Sequence, residues 1–258
     1  MFSVYEQTHT PKEIIVVDDG STDDTSNIKK DFPNIKYIYQ KNSGVSFARN
    51  TGIKNSKSKW VAFLDSDDQW HIDKLKKQVK FHYNNPNILM SFTDELWIRD
   101  SKELKVPKKF QKYEGDIFEK CLSHCIIAPS SVLINKQLFN ELGLFDENLE
   151  VCEDYDLWLR IAKSHKIGLV DQKLIIKYAG HDDQLSFKYW GMDRFRVSSL
   201  EKLLLDNHTK KLDLVQESLI IQELVKKYKL LLKGAIKYDR FSEIQKYKKR
   251  LTELNSYV

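Results

Sequence analysis

Trp60-Val61-Ala62-Phe63-Leu64 is an apolar run of strand length, and Asp65, Asp67 and Asp68 follow it directly. Carboxylates crowded at the end of a strand repel one another and stay charged only beside a cation or hydrogen-bond donors. In an open α/β sheet the carboxyl ends of the strands are where ligands bind. A hard divalent cation that keeps positions free for phosphate oxygens would suit these acids. A turn in which Asp67 or Asp68 caps the next helix accounts for the same residues, and both readings stand at this point. Two further acidic clusters occur, Asp18-Asp19-Gly20-Ser21 and Glu153-Asp154-Tyr155-Asp156. Between the first of them and Asp65 lies Asn42-Ser43-Gly44-Val45-Ser46-Phe47-Ala48-Arg49-Asn50, whose arginine offers a planar fork of donors for phosphate or carboxylate. Taken alone, Asp18-Asp19 reads as a turn and Arg49 as a solvated helix residue.

These residues need elements to hold them. Ile14 to Val17 and Ile35 to Tyr39 read as short strands, with acidic and polar residues opening a helix toward Lys30 between them. Val45 to Lys54 reads as a helix that sets Ser46 and Arg49 one turn apart, and about His71 to Tyr83 as another, with Leu75, Val79 and Phe81 or His82 inward. Strand and helix in short alternation argue for a doubly wound sheet with parallel pairing, and place the two aspartate-tipped strands along one edge of one sheet. Ile88 to Thr93, Leu96 to Arg99, Ser130 to Ile134 and Ile167 to Tyr178 read as strands, and Gly115 to His124 as a helix. Lys136 to Leu142 is a helix closed by Gly143. Glu153 to Ser164 is a helix with Tyr155, Leu157, Trp158 and Ile161 as its apolar stripe, which makes Trp158 a core residue. After Tyr189 the pattern is helical, and a boundary is expected near residue 190.

The chain has 258 residues, 41% of them hydrophobic and 31% charged, enough for one sizeable core with an appendage. It shows neither a signal peptide nor an apolar run long enough to span a bilayer, so a cytoplasmic location is expected. Three cysteines, Cys121, Cys125 and Cys152, suit packed, reduced thiols better than a disulfide framework. The net charge of +5 sits entirely in residues 201–258, where thirteen Lys and Arg face eight acids. Basic and apolar residues alternate there at helical spacing, as in Leu224 to Leu232. A hairpin with a solvated basic face is the plainer account, and a peripheral contact with the inner membrane surface is the other. Nucleic acid is not expected, because no recognised module accompanies the charge.

In their order and separation, the four motifs closely resemble the inverting nucleotide-sugar glycosyltransferases of family 2. Tyr178-Ala179-Gly180-His181-Asp182-Asp183-Gln184-Leu185-Ser186 is similar to that family's closing segment. The resemblance covers roughly residues 3 to 190. It implies the A-type glycosyltransferase fold, a Rossmann-like mixed sheet flanked by helices, over 1–190, with a basic helical extension over 191–258. It implies transfer of a sugar from a nucleotide diphosphate donor, of the UDP type, to a hydroxyl of a glycan or lipid-linked acceptor in surface polysaccharide or glycolipid synthesis. Asp18, Asp19, Arg49, Asp65 and Asp68 would bind the donor. Asp67 and His181 would hold a Mn or Mg ion, with Asp68 able to exchange roles with Asp67. Asp154 would be the base and Glu153 second to it, while Asp156 reads as structural; apart from the resemblance, His181 is an ordinary polar loop residue.

The resemblance also implies a departure. Ser3-Val4-Tyr5-Glu6-Gln7-Thr8 matches the end of the family's first helix, so the preceding strand and its nucleotide-binding turn are missing from this sequence. The expectation is an open sheet edge and weak nucleotide-sugar binding by this chain, with an inactive remnant or assembly scaffold as the alternative function. A nucleotidyltransferase is disfavoured, since the chain's 9 glycines form no glycine-rich phosphate loop.

Overall fold

A computed structural model describes residues 1–178, 180, 189–206 and 211–256. Its front half alternates strand and helix: α1 (Phe2–Tyr5), β1 (Ile15–Asp19), α2 (Ile28–Asp31), β2 (Lys36–Gln40), α3 (Val45–Asn55), β3 (Trp60–Ala62), β4 (Asp68–Trp70) and α4 (Lys74–Asn84). There follow β5 (Met90–Arg99), β6 (Lys102–Leu104), α5 (Phe118–Ser123), β7 (Leu133–Asn135), α6 (Gln137–Leu142), α7 (Glu153–Ala162) and β8 (Gly168–Tyr178). Three helices close the chain: α8 (Asp193–Leu205), α9 (Leu214–Lys237) and α10 (Phe241–Asn255).

The pairing is mixed, as expected, but it forms two sheets. β1 and β2 run parallel, with Ile15 opposite Lys36 and Asp19 opposite Gln40. The larger sheet runs β3-β7-β5-β8-β4, with β6 on the far part of β5. β7 is antiparallel to β3 and β5, β8 is parallel to β5, and β4 is antiparallel to β8. The aspartates at the end of β1 and those after β3 therefore do not share a sheet edge. Among the described residues β1 pairs only with β2 and β3 only with β7, so each keeps one edge unpaired. α3 spans the division, packing on β1, with Gly52 against Val17.

The stretches 88–93 and 96–99 fuse into the single strand β5, which is irregular in its register with β8 between Thr93 and Glu95. Its first four residues are all buried because the sheet is covered on both faces there. Phe92, Val132, Ile134 and Leu138 form the main core with the stripe of α7, where Leu157, Trp158 and Ile161 are buried. Trp158 donates its indole N–H to the Ile127 carbonyl at 3.0 Å, which satisfies its one polar atom in that core.

α4 turns Leu75 and His82 inward, as its spacing suggests, but buries Lys74 and Gln78 where Val79 was expected. Val79 is exposed, and Lys74, Leu75, Gln78 and His82 are buried. The polar members are tolerated because they satisfy one another. Lys74 Nζ donates to Gln78 Oε1 at 2.7 Å and lies 4.4 Å from the Trp70 ring. Gln78 donates to the Ser131 carbonyl, and His82 meets Ser91 Oγ at 2.9 Å. Burial holds the Lys74 amine well below its ordinary range.

The three closing helices add to the same core through Val197, Leu200, Ile220, Leu224, Tyr228, Leu231, Tyr247 and Leu254. Asp213 opens α9 with a reciprocal capping box to Gln216. The apolar stripe of the tail is thus packed as a hairpin. Even Lys227 is drawn inward, its ammonium donating to the Ser123 carbonyl at 2.8 Å and to Asp193 at 3.1 Å. No described helix is long and apolar enough to cross a membrane.

Gly168 seats α4 on the larger sheet: a methyl group there would lie 2.3 Å from the Phe81 ring. Gly168→Ala is expected to lower stability by about 1–3 kcal/mol in urea unfolding. Adding Phe81→Leu should recover part of that loss, and an unchanged midpoint for the single variant would contradict the contact.

Candidate functional site

The site is organised by the polar side of α3. That helix starts after Gly44, at φ 93°, and carries Ser46, Arg49 and Asn50 on the face toward the segment before α7. Asn50 exchanges hydrogen bonds with the Phe145 backbone, Nδ2 to O at 2.9 Å and Phe145 N to Oδ1 at 3.1 Å, and also donates to Glu147. Ser46 Oγ donates to the Leu149 carbonyl at 3.4 Å. Between them Arg49 reaches Asp65 with one nitrogen, at 2.7 Å, and Glu153 with another, while its guanidinium lies 5.4 Å from the Phe145 ring. Burial opposes this charge, yet Asp65 and Glu153 raise the arginine's proton affinity above its ordinary value. The end of β3 and the start of α7, far apart in sequence, therefore meet at one guanidinium.

The turn after β3 is held from the other side by Ser130. The Asp65 N–H donates to Ser130 Oγ at 3.0 Å, the Trp70 indole N–H donates to the Ser130 carbonyl at 2.8 Å, and the Asp68 N–H closes on the Asp65 carbonyl at 3.1 Å. Asp67 is exposed, whereas Asp68 is 7% exposed and its Oδ2 has no hydrogen-bond partner among the described residues. Burial pushes the Asp68 carboxyl up to about 6, with Lys177 and Ser130 opposing and Asp65 and Asp67 adding repulsion. An orphaned carboxylate oxygen beside two more carboxylates is hard-oxygen chemistry that fits a Mn or Mg ion. Among the described residues, however, no three acids or histidines already converge on one point. His181 lies outside the described residues.

At the start of α7, Cys152 adopts a left-handed backbone, φ 65°, immediately before the two carboxylates. That geometry costs a non-glycine residue about 1–3 kcal/mol and occurs where surrounding contacts enforce it. Glu153 is buried against Arg49; burial and the neighbouring Asp154 push its carboxyl up to about 7, and Arg49 pulls it down. Asp154 accepts from the Cys125 thiol at 3.3 Å and from the Tyr155 N–H at 2.6 Å. Burial keeps the Cys125 thiol protonated, well above its usual range. Asp156 is structural, as expected: Arg160 and Lys202 pair with it at 2.8 and 2.5 Å.

Asp18 and Asp19 sit apart from this group and are engaged locally. Asp18 accepts from the Tyr37 hydroxyl and the Ser21 N–H; burial opposes its charge, but these donors outweigh it and lower the pKa. Asp19 accepts from Gln40 and the Ser43 N–H through Oδ1, and from the Gly44 N–H through Oδ2 at 2.8 Å. It thereby ties β1 to the loop that starts α3. A side chain at Gly20, φ +82°, would press within 2.7 Å of the Asn42 backbone, so the two loops touch where only glycine fits.

Several site residues were not evident from the sequence. Lys177 on β8 stands opposite Asp68 on β4. Burial would lower its pKa, but Glu95, Asp68, Asp65 and Asp154 hold it above the ordinary value. A lysine closing the apolar run Leu174-Ile175-Ile176 was the available signal. Lys112 forms a buried pair with Glu95 and donates to the Ile126 carbonyl at 2.8 Å. Nothing in the spacing of Lys112, Glu95, Ser130 or Cys125 announces them.

Residues 1–143 match the model of the family described as glycosyl transferase family 2. An uncharacterized glycosyltransferase of Rickettsia conorii is 41% identical over 176 residues, 67% of this chain but only 29% of that protein. This chain therefore spans less than a third of that relative. The Escherichia coli UDP-Glc:alpha-D-GlcNAc-diphosphoundecaprenol beta-1,3-glucosyltransferase WfgD is 31% identical over 172 residues, 66% of this chain and 65% of that protein. Among solved structures, S. aureus TarS 1-349 in complex with UDP-GlcNAc aligns with a TM-score of 0.66 at 20% identity, over 88% of this chain and 66% of that one. The mannosyltransferase PcManGT from Pyrobaculum calidifontis, in complex with GDP-Man and Mn2+, aligns with a TM-score of 0.58 at 16% identity, over 98% and 78%.

Asp68 gives the metal-free chain a pH dependence of known sign. Its pKa rises from an ordinary 3.8 to about 6 on folding, so its contribution to stability is full below 3.8 and lost as pH rises through 6. Asp68→Asn stays neutral and escapes that loss. Thermal melting in chelator from about pH 4 to about pH 7 should show the variant gaining on the parent as pH rises; parallel curves would count against a buried charge here.

Proposed function

The chain belongs to glycosyl transferase family 2 and has the A-type glycosyltransferase fold, and on that premise we propose the reaction it performs. It moves a sugar from a nucleotide diphosphate donor, of the UDP type, to a hydroxyl of a surface glycan or lipid-linked acceptor, with inversion at the anomeric carbon. The observation that carries this reading is the meeting of Asp65 and Glu153 on Arg49, with Asp154 beside them. Donor-binding and acceptor-activating groups are thereby held in one place. The UDP-Glc donor and diphosphoundecaprenol acceptor in the name of WfgD, and the UDP-GlcNAc bound to TarS, support the donor and acceptor classes.

In this mechanism Asp154 takes the proton of the acceptor hydroxyl as its oxygen attacks the anomeric carbon. The bond from that carbon to the diphosphate oxygen breaks, and its electron pair leaves with the nucleotide. Glu153 positions Arg49, which faces the diphosphate or base; Asp65 takes the ribose side, and Asp18 and Asp19 line the base side. Asp67 and the free oxygen of Asp68, with His181, would hold a Mn or Mg ion, as the Mn2+ of the PcManGT complex suggests. That ion supplies charge neutralisation at the departing diphosphate. Lys177, opposite Asp68, adds a fixed positive charge on the same side. The setting is the cytoplasmic face of the membrane that carries the acceptor.

One observation favours a second reading, a member that keeps the fold as an assembly subunit: the unpaired edges of β1 and β3. Calorimetry with UDP-sugar and Mn separates the two. Metal-dependent binding is expected of the enzyme and would remove the subunit reading; no binding with or without Mn would favour the subunit.

Asp154→Asn should lower transfer by about 10²–10⁴-fold while leaving donor binding intact. Transfer that survives the change would dismiss Asp154 as the base. Asp67→Ala should abolish the Mn-dependent part of donor binding, and binding equal with and without Mn in both proteins would remove the cation from the site.

A further inference from the structure

Because the apolar stripe of α9 is packed inward, a membrane has no access to it. Apart from Leu214 and Val215 at the start of α9 and Leu230 along it, the exposed apolar side chains of this hairpin gather at the corner where α9 turns into α10. Ile236, Tyr238 and Phe241 there are 53%, 62% and 74% exposed, and Trp190, from the segment entering α8, is 46% exposed. The corner is tight: Asp239 is left-handed at φ 50°, and the Arg240 N–H returns to the Ala235 carbonyl at 2.9 Å.

Its charges are arranged around its aromatic rings. The Trp190 ring lies between two guanidiniums, Arg194 at 3.6 Å and Arg240 at 3.4 Å from its centroid. Arg240 is also 5.5 Å and Lys237 5.2 Å from the Tyr238 ring. Arg194 is anchored by donating to the Trp190 carbonyl. Neither Lys237 nor Arg240 has a carboxylate in a described ion pair. From Lys229 to Arg250 eight Lys and Arg face only Asp239 and Glu243. Cations gathered on rings beside uncovered apolar side chains match the depth profile of an anionic bilayer, with phosphates outside, an interfacial zone that favours aromatic rings, and hydrocarbon within.

We propose that this corner docks on an anionic lipid bilayer, with Phe241, Tyr238 and Ile236 entering the headgroup boundary, Trp190 at its rim, and Lys237 and Arg240 meeting lipid phosphates. The proposal deepens the reading of a lipid-linked acceptor and rests on it only for why a membrane would be present.

Flotation with neutral and with anionic phosphatidylglycerol-containing vesicles tests it, using the whole chain. Binding to the anionic vesicles only is expected. Lys237→Glu with Arg240→Glu should weaken it at least about tenfold, since each basic residue at such a surface contributes about fivefold. Lys76→Glu with Lys80→Glu removes the same charge from α4 and should change binding less than about twofold. Tyr238→Ser with Phe241→Ser keeps the charge and should also weaken binding about tenfold. Recovery of the parent only in the soluble fraction, equal loss in the α4 control, or unchanged binding in both corner variants would each overturn the proposal. So would a concentration-dependent dimer that the corner variants make monomeric, since the corner would then join two copies. Circular dichroism checks that the variants fold, and transfer to a soluble acceptor is followed in parallel. A parent chain that transfers but does not float tells against the docking corner alone, and a parent chain that floats but does not transfer tells against the enzymatic reading alone.

Discussion

Everything in the site depends on Arg49 being held by two carboxylates at once. Asp65 arrives at the end of β3 and Glu153 at the start of α7, and each would be a poorly compensated anion without the shared guanidinium. Removing one member of such a buried cluster typically costs about 3–5 kcal/mol, because the others are left charged in a medium that solvates them badly. A lysine would not substitute, since a single ammonium cannot present two separated donors to two carboxylates in a fixed plane. The neighbouring contacts of Ser46 and Asn50 with the segment 145–149 serve the same end, fixing the helix that carries the arginine.

Charge balance around that clamp is incomplete in a way that suits a ligand. Lys177 faces four carboxylates, yet Asp68 still holds one buried oxygen with no donor among the described residues, and so does Glu95. A site whose anions were fully neutralised by its own lysines and arginines would have little use for a metal or a positively charged partner. Here the protein supplies enough cation to keep the carboxylates together and leaves a residue of negative charge at the turn after β3.

Much of this was legible in the chain because chemistry-bearing residues and element boundaries coincide. The stripe of α7 marks a local physical requirement that the structure honours, and the apolar run before Asp65 does so in part, being strand as far as Ala62. The Trp158 indole went to the core, as its spacing with Leu157 and Ile161 implied. Long-range features were not legible. Nothing local says that β1 and β3 fall in different sheets, since pairing is decided by partners distant in sequence. On α4 Leu75 and His82 turn inward as read, but Val79 was misplaced because hydrophobicity was taken as the guide to burial, whereas Lys74 and Gln78 are buried as a hydrogen-bonded pair. Lys112 and Glu95, and Cys125 and Asp154, are joined only by the fold.

The loop closed by Asp19 has a thermodynamic meaning of its own. Three of its acceptor positions are already taken, Oδ1 by Gln40 and the Ser43 amide and Oδ2 by the Gly44 amide. A donor arriving there would find one acceptor position left on Oδ2, and any further bond would have to displace an existing partner, an exchange close to neutral in hydrogen-bond number and small in net free energy. If a nucleotide base meets Asp19 as proposed, this loop would contribute discrimination more than grip: a base with the wrong donor pattern would break the loop's bonds without replacing them, and the empty loop would be the competitor against which each candidate base is measured.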